Sequence, residues 1–214
     1  MGEIQKIPDI SYNSLRLDII DLIEPKDKKI LDIGCAMGKT SFELKKRGAA
    51  FVAGIELSEK VGSEASKLLD KVIIGDIEKI DPPFEKEYFD YIIYGDVLEH
   101  LTDPWEILTK CAKYLKKDGF VIASIPNIRH YSVINDLVFK GKWPYVEEGI
   151  ICKSHLRFFT LDEIKKLFAE SNYKIVELRR NLSATKTIGN INRVFRYIFT
   201  EFLTRLYLIK ARKI

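Results

Sequence analysis

The stretch Ile30-Leu-Asp-Ile-Gly-Cys-Ala-Met-Gly-Lys39 decides the fold. A short β-type run beginning at Lys29 enters a turn that carries Gly34 and Gly38. An amphipathic stretch from Thr40 to Arg47 follows and stops at Gly48. Gly34 lets the backbone turn tightly, and Gly38 lets the next helix start close to a ligand. A strand, a glycine turn and a helix in this order are the first unit of an α/β protein.

The same rhythm continues outward. Ala50 to Leu57 is a second strand, followed by a helix from Ser58, a good N-cap residue, to about Leu69. Lys71–Gly75 and Phe89–Tyr94 are the third and fourth strands, and Gly119–Ile125, closed by Pro126, is the fifth. Asp103-Pro-Trp-Glu106 opens a helix with proline at its first position. Upstream, Ser14 to Ile23 reads as a helix ending at Pro25. Downstream, an aromatic-rich insertion spans about 127–159, Thr160-Leu-Asp-Glu163 is a capping box, and Tyr173–Leu178 is a sixth strand. The expected fold is α/β: a Rossmann-like, doubly wound, mostly parallel sheet with helices on both faces, an insertion after strand 5 and a C-terminal helical tail. One domain, residues 1–181, precedes a tail at 182–214.

With 46% hydrophobic and 31% charged residues in 214, the composition excludes intrinsic disorder and collagen-like sequence. Cys35, Cys111 and Cys152 are widely spaced, with no CxxC or Cys/His cluster to suggest a disulfide framework or a zinc site. No metal constellation is evident in the sequence. The start, MGEIQKIPDI, has no apolar signal-like stretch, and the longest uncharged run, Gly119 to Ile128, has ten residues. A spanning helix needs about 18. A cytoplasmic location is expected. The net charge is +4, and the segment 182–214 alone carries seven Lys/Arg against one Glu, so the chain before Leu182 is slightly acidic. That distribution is unlike a basic nucleic-acid binder, and no nucleic acid is expected as a partner.

The strand ends carry the candidate chemistry. Glu56 ends the second strand, 24 residues after Asp32, and an acidic side chain there accepts hydrogen bonds from both hydroxyls of a ribose. Asp76, past the third strand, would reach an adenine edge with Ile77 on its face. Two cofactor classes fit. A dinucleotide needs a GxGxxG loop whose amides hold a pyrophosphate, and Ala36 stands where its second glycine belongs. S-adenosylmethionine has no phosphate and does not need that close approach.

Taken in order, LDIGCAMG, the acidic end of GIEL at Glu56, GDI at Asp76, FDYIIYGDVLEHLTDP at 89–104 and LKKDGFVIASIPN at 115–127 resemble the class I S-adenosylmethionine-dependent methyltransferases, specifically the group related to ubiquinone-type O-methyltransferases. The family usually has glycine at the position of Ala36. The resemblance implies that Gly34, Cys35, Ala36 and Gly38 border the methionine part of the cofactor. Asp32 would order the loop and meet the amino group. Glu56 would bind the ribose, with Leu57 against the adenine. Asp76 and Ile77 would hold the adenine, and Gly95 and Asp96 would line the reaction centre. Tyr12 and Arg16 lie in a segment that often closes over the cofactor in this family.

A hydroxyl acceptor needs a base, and histidine suits that role. His155 and His130 are the catalytic candidates, each with a structural alternative in tying the insertion to the core, and His100 sits inside the family signature. NIRHYSVINDLVFKGKWPY followed by HLRFFT is similar to a subgroup found among bacterial polysaccharide and cell-surface glycan biosynthesis proteins. That similarity implies a sugar or other small polar acceptor, with Trp143 and Tyr145 as stacking surfaces and Arg129 or Arg157 as anchors.

Laid on a helix, 193–214 gathers Val194, Phe195, Ile198, Phe199, Phe202, Leu206 and Ile209 on one face. That face either packs on the domain or a twin subunit, or it lies on an anionic membrane surface. The leading expectation is methyl transfer from S-adenosylmethionine, with S-adenosylhomocysteine as product. A nicotinamide-dependent Rossmann oxidoreductase and a catalytically silent cofactor-binding scaffold are the alternatives.

Overall fold

The computed structural model describes residues 13–182 and 199–214. Seven strands form one sheet, in the order β3-β2-β1-β4-β5-β7-β6. They are β1 (Lys29–Ile33), β2 (Phe51–Glu56), β3 (Lys71–Ile74), β4 (Phe89–Gly95), β5 (Leu115–Pro126), β6 (Tyr173–Leu182) and β7 (Thr204–Lys213). The first five pair in parallel, and β7 lies antiparallel between β5 and β6. The helices are α1 (Leu17–Ile20), α2 (Lys39–Lys46), α3 (Glu59–Ala65), α4 (Pro104–Cys111), α5 (Tyr131–Ile134) and α6 (Leu161–Glu170).

Both faces of the sheet are covered, so the central strands are apolar on both sides rather than alternating. Leu31 and Ile33 join Ile92, Tyr94, Val121 and the α4 and α6 residues Leu108, Ile164 and Phe168 in one layer. Ile30, one residue out of phase, joins Val52, Ile93, Ile122, Leu44 of α2 and Ile19 and Ile20 of α1 in the other. Local chemistry starts the helices where the sequence places them. Ser58 accepts from Val61 N at 3.4 Å, Asp103 from Glu106 N at 2.9 Å and Thr160 from Glu163 N at 3.3 Å. The segment read as a helix over Ser14–Ile23 is helical only across Leu17–Ile20, one turn.

The tail is the principal correction. The sequence pattern predicts a helix through 193–214, but Thr204–Lys213 form β7, and among the described residues of that stretch Thr200–Leu203 make a single helical turn. Residues 193–198 lie outside the described residues, as does Tyr12. Of the apolar side chains assigned to a helix face, Ile209 joins one layer of the core and Leu206 packs against the other, whereas Phe199 is exposed; Tyr207 and Leu208, outside that face, are buried in the two layers. The basic residues are used locally as well. Lys210 donates to Leu22 O at 2.9 Å, and Lys213 donates to Ala112 O at 2.7 Å. Buried Asn127 fixes the strand's entry by donating to Glu201 O (2.7 Å) and Thr204 O (2.8 Å), while its own amide meets Arg205 O. Residues 204–213 are therefore a strand within the sheet and present no helical face. Among the described residues, no helix is long and apolar enough to cross a membrane.

Candidate active site

Strand order reverses between β1 and β4, and loops leave the carboxyl ends of these strands in opposite directions, opening a crevice. The cleft there has a volume of about 840 Å³, ample for a nucleoside cofactor beside a small acceptor. Of the site residues named from the sequence, Asp32, Gly34, Cys35, Ala36, Glu56, Leu57, Asp76, Ile77, Gly95, Asp96 and His155 line it. Gly38 and His130 do not. Gly38, at φ 76°, caps α2 in a left-handed conformation, and a Cβ there would meet Ala65 Cβ of α3 at 3.2 Å. Its role is to seat one helix on another.

Gly34 is constrained by sterics. Its φ is 73°, and an added Cβ would lie 2.5 Å from Val97 Cγ2. The turn it begins is closed by its own hydrogen bonds. Gly34 N and Cys35 N both donate to Ile55 O, at 2.8 and 3.1 Å, and Ala36 N donates to Glu56 Oε2 at 3.0 Å. Three successive loop amides are thereby spent inside the protein, where a dinucleotide site would present amides to a diphosphate. Ala36 (φ 49°) and Asp96 (φ 56°) are two non-glycine residues held in the left-handed region, and both face the cleft.

Glu56, 6% exposed, bridges two loops: its other oxygen accepts from Ser58 N at 2.9 Å. Burial raises its pKa, against the opposing pull of the Ser58 and Ala36 amides. Asp32 is also buried and accepts from Ser41 Oγ at 2.6 Å; burial pushes its pKa up to about 7, Ser41 opposes this, and the neighbouring Glu56 charge adds to it. Neither carboxylate has an ion-pair partner among the described residues. A ligand bringing a cationic ammonium and a sugar diol fits this donor set, and a diphosphate does not. Leu57 adds an apolar surface, 60% exposed at the rim, which a flat aromatic base would cover. Asp76 is partly committed, accepting from Glu78 N at 3.0 Å and Lys79 Nζ at 2.7 Å.

At the other end of the cleft, Asp96 is held by Arg16 and by Ser124 Oγ at 2.7 Å. Arg16 also pairs with Asp18 at 2.9 Å, so the segment before β1 does close onto the site. Glu99 is 1% exposed, and neither of its carboxylate oxygens has a hydrogen-bond partner among the described residues. Burial holds its carboxyl well above the usual range, and the Asp96 charge reinforces this. The His100 and His155 rings meet edge to face, with centroids 4.7 Å apart. Burial lowers both, and His155, with His100 adding to the effect, falls to about 4. Both imidazoles are therefore neutral near pH 7.

The insertion contributes Glu147, Glu148, Gly149 and Ile150 to the cleft, while β7 contributes Arg205. The aromatic and cationic residues expected to grip an acceptor lie elsewhere. Trp143 packs edge-on against Phe158 at 5.5 Å, and Tyr145 is exposed away from the lining. Arg129 sits 5.1 Å over the Phe202 ring, and Arg157 Nε donates to Thr102 O at 3.0 Å. His130 caps α5, its Nδ1 2.8 Å from Ser132 Oγ and its Nε2 buried without a partner among the described residues. Sequence reasoning missed Ser41, Glu99 and Arg205. Glu99 directly precedes His100, and that adjacency of two ligand-type side chains is a signal that could have found it. Arg205 was hidden by the helical reading of the tail.

Fold and cleft together define a nucleoside-binding α/β domain whose glycine turn is closed to phosphate. Comparison with known proteins narrows the class: residues 11–178 match the family described as "Methyltransferase domain". The chain belongs to this family. It is 34% identical over 144 residues to the ubiquinone biosynthesis O-methyltransferase of Neisseria meningitidis serogroup C, covering 64% of this chain and 60% of that protein. It is 27% identical over 171 residues to the demethylmenaquinone methyltransferase of Staphylococcus aureus, covering 72% and 71%. The chain spans about 60% of the length of the Neisseria relatives it matches. A solved S-adenosylmethionine-dependent methyltransferase of Archaeoglobus fulgidus superposes with a TM-score of 0.68 over 92% of this chain and 91% of that one, at 19% identity. The fold is that of the S-adenosylmethionine-dependent methyltransferases.

Proposed function

We propose that the chain transfers a methyl group from S-adenosylmethionine to an oxygen of a sugar or other small polar acceptor in the cytoplasm. The observation that carries this reading is the pair of buried carboxylates, Asp32 and Glu56, which face the cleft without a cation while the amides beside them are spent. Glu56, fixed by two backbone amides, keeps lone pairs for the ribose hydroxyls. Asp32, oriented by Ser41, would pair with the amino group. Leu57 and Ile77 would cover the adenine faces, with Asp76 at its edge. Gly34, Cys35 and Ala36 leave room for the methionine chain, and Gly95 and Asp96 border the sulfur end. When bound, the cofactor supplies an activated methyl on a sulfonium and departs as a neutral thioether. The protein aligns the acceptor and excludes water.

Oxygen is favoured as the methylated atom because the ubiquinone-type relatives, at 34% and 37% identity, are named as O-methyltransferases. The acceptor end suits a polar compound, since Glu147, Glu148, Asn181 and Arg205 line it and His155 presents a neutral imidazole in its proton-accepting form. Calorimetric titration with S-adenosylhomocysteine tests the reading: micromolar binding is expected, with no change in NADH fluorescence. A folded sample that ignores S-adenosylhomocysteine, or that binds NADH, refutes it.

A further inference from the structure

The strand that closes the acceptor end is irregular where it enters the sheet. Asn181 of β6 pairs with Leu206 of β7, and the next residue, Leu182, pairs with Thr204, so Arg205 is left over as a β-bulge. In a regular strand Arg205 and Leu206 would point to opposite faces of the sheet. Here both line the cleft, and so does Asn181. We propose that Arg205 and Asn181 form an oxyanion subsite for a carboxylate or phosphate of the acceptor, which makes the methylated compound an anionic sugar or a similarly small acid. The subsite deepens the methyltransferase reading of the cleft and rests on it for the reaction.

An arginine on a cleft wall says little when a neighbouring acid neutralises it. Arg205 is exposed and has no ion-pair partner among the described residues. The acids around it are engaged elsewhere. Glu201 accepts from Tyr207 Oη at 2.7 Å and pairs with Arg180 at 3.5 Å, Glu147 pairs with Lys153, and Asp96 pairs with Arg16. Glu148, also on the lining, is exposed and can accept hydrogen bonds from acceptor hydroxyls. His130 lies within range of the Arg205 charge. Burial first, and that charge second, lower its pKa, so this neighbour is a neutral imidazole and not an anion. The sequence joining the two strand ends, 183–198, contains Lys186, Arg193 and Arg196 and no Asp or Glu.

The backbone at the bulge is fixed before any ligand arrives. The buried Asn127 side chain donates to Glu201 O at 2.7 Å and Thr204 O at 2.8 Å, and its amide donates to Arg205 O at 3.0 Å. Thr204 Oγ1 donates to Thr200 O at 2.8 Å. A guanidinium presented from such a base offers two parallel N–H donors, the fork that matches two oxygens of a carboxylate or phosphate, and the Asn181 carboxamide supplies a neutral donor. The register sets the reach. Leu208 pairs with Ser124, whose hydroxyl holds Asp96 at the sulfur end, and Arg205 comes three residues earlier in β7. At strand spacing that is about 10 Å, room for one monosaccharide between the transferred methyl and the anion.

The test uses the full chain, with and without S-adenosylhomocysteine, titrated with glucuronate, with a glucose phosphate and with glucose. The readouts are the melting temperature and the Nε–H resonances of isotope-labelled arginine, the Arg205 signal being the one lost in Arg205→Gln. At least one anion should raise the melting temperature and shift that signal at millimolar concentration, more weakly as NaCl is added, while glucose does neither. Which anion acts identifies the group that the subsite takes. Arg205→Gln should weaken the thermal response at least about tenfold, and Arg205→Lys should keep part of it, since charge survives without the fork. Neither substitution should move the melting temperature of the anion-free chain by more than about two degrees, because the guanidinium makes no ion pair. A folded chain that ignores both anions, a response to glucose equal to theirs, or Arg205→Gln responding like wild type overturns the proposal. An anion response in a chain that does not bind S-adenosylhomocysteine leaves the subsite standing and removes the cofactor reading instead.

Discussion

The two ends of the cleft are built in different ways. At the cofactor end, the wall comes from four consecutive strand ends, β1 to β4, and its shape is set by backbone: a left-handed Gly34, amides turned inward to Ile55 O, and a carboxylate clamped by two amides. At the acceptor end, the wall is assembled from side chains remote in sequence: Arg16, Glu99, His155 and Arg205. Local geometry writes itself into local sequence, since a turn at positive φ demands glycine and a ribose demands an acid at a fixed strand end. Assembly from distant segments leaves no such mark.

The sharpest break of this comparison is to remove the strand that closes the acceptor end. Ending the chain at Leu203 deletes β7, exposing the ladder edges of β5 and β6 together with the core faces that Tyr207, Leu208 and Ile209 fill. The expected outcome is complete loss of a cooperative thermal transition, because the lost burial exceeds the roughly 5–15 kcal/mol that stabilises a domain. A truncated chain that still melts cooperatively would restore the reading of this segment as a detachable tail.

Next in size is Gly34→Ala, at the other end. The new Cβ meets Val97 Cγ2 at 2.5 Å and the backbone sits at φ 73°, so destabilisation of about 3 kcal/mol is expected in a urea melt, with S-adenosylhomocysteine binding lost. Adding Val97→Ala should return part of the stability, since the clash is with that side chain, but not the portion due to backbone strain. Equal losses in the single and double variants would mean that the turn, not the contact, is what glycine serves.

Glu56→Gln removes one of the two acceptor oxygens that hold the loops while keeping the shape. Affinity for S-adenosylhomocysteine should fall about 10–100-fold by calorimetry, and the melting temperature should drop by a few degrees, because the new NH2 faces one of the two backbone amides and leaves it unpaired. The sequence made this residue legible because an acid ending the second strand has little structural reason to be there. The same logic found Asp32, Asp76 and the glycines. It failed for β7 because Leu206, Tyr207, Leu208 and Ile209 are apolar without a break: a strand covered on both faces has no alternating signature, and a helix accommodates the same residues. It also failed for the trio of Glu99, His100 and His155. The two histidines were visible singly and Glu99 was not, and nothing in the sequence says that Leu156 and Arg157 hang from Glu99 O.

Asp32→Asn has a smaller effect on binding and an opposite effect on stability. The wild-type carboxyl has its pKa pushed up to about 7 in the folded state, chiefly by burial, against an ordinary value near 3.8. The folded protein therefore holds a proton that the unfolded chain has released, and stability falls as pH rises from about 4 towards 7. The variant should lack this decline, melting with wild type near pH 4 and a few degrees above it at pH 8. S-adenosylhomocysteine should bind about tenfold more weakly, for want of the charge that meets its ammonium. A wild-type profile flat between pH 5 and 8 would show that Asp32 is ionised throughout.

The smallest expected effect is the most discriminating between cofactors. Ala36→Gly turns the loop into Gly-Cys-Gly-Met-Gly, supplying the second glycine of a dinucleotide fingerprint. Ala36 sits at φ 49°, so glycine relieves strain of about 1 kcal/mol, but it gains a similar amount of freedom when unfolded, and net stability should move by less than about 0.5 kcal/mol. Binding of S-adenosylhomocysteine should change by less than about twofold, because the contact that matters is the amide at this position donating to Glu56, which glycine keeps. NADH fluorescence should still not respond. The obstacle to a diphosphate is not the methyl group of Ala36 but the prior use of the Gly34, Cys35 and Ala36 amides by Ile55 and Glu56, and adding a glycine frees none of them. If the variant acquired NADH binding, the methyl group would be the gate, and the acidic strand end would have to be read as a nicotinamide-nucleotide ribose site instead.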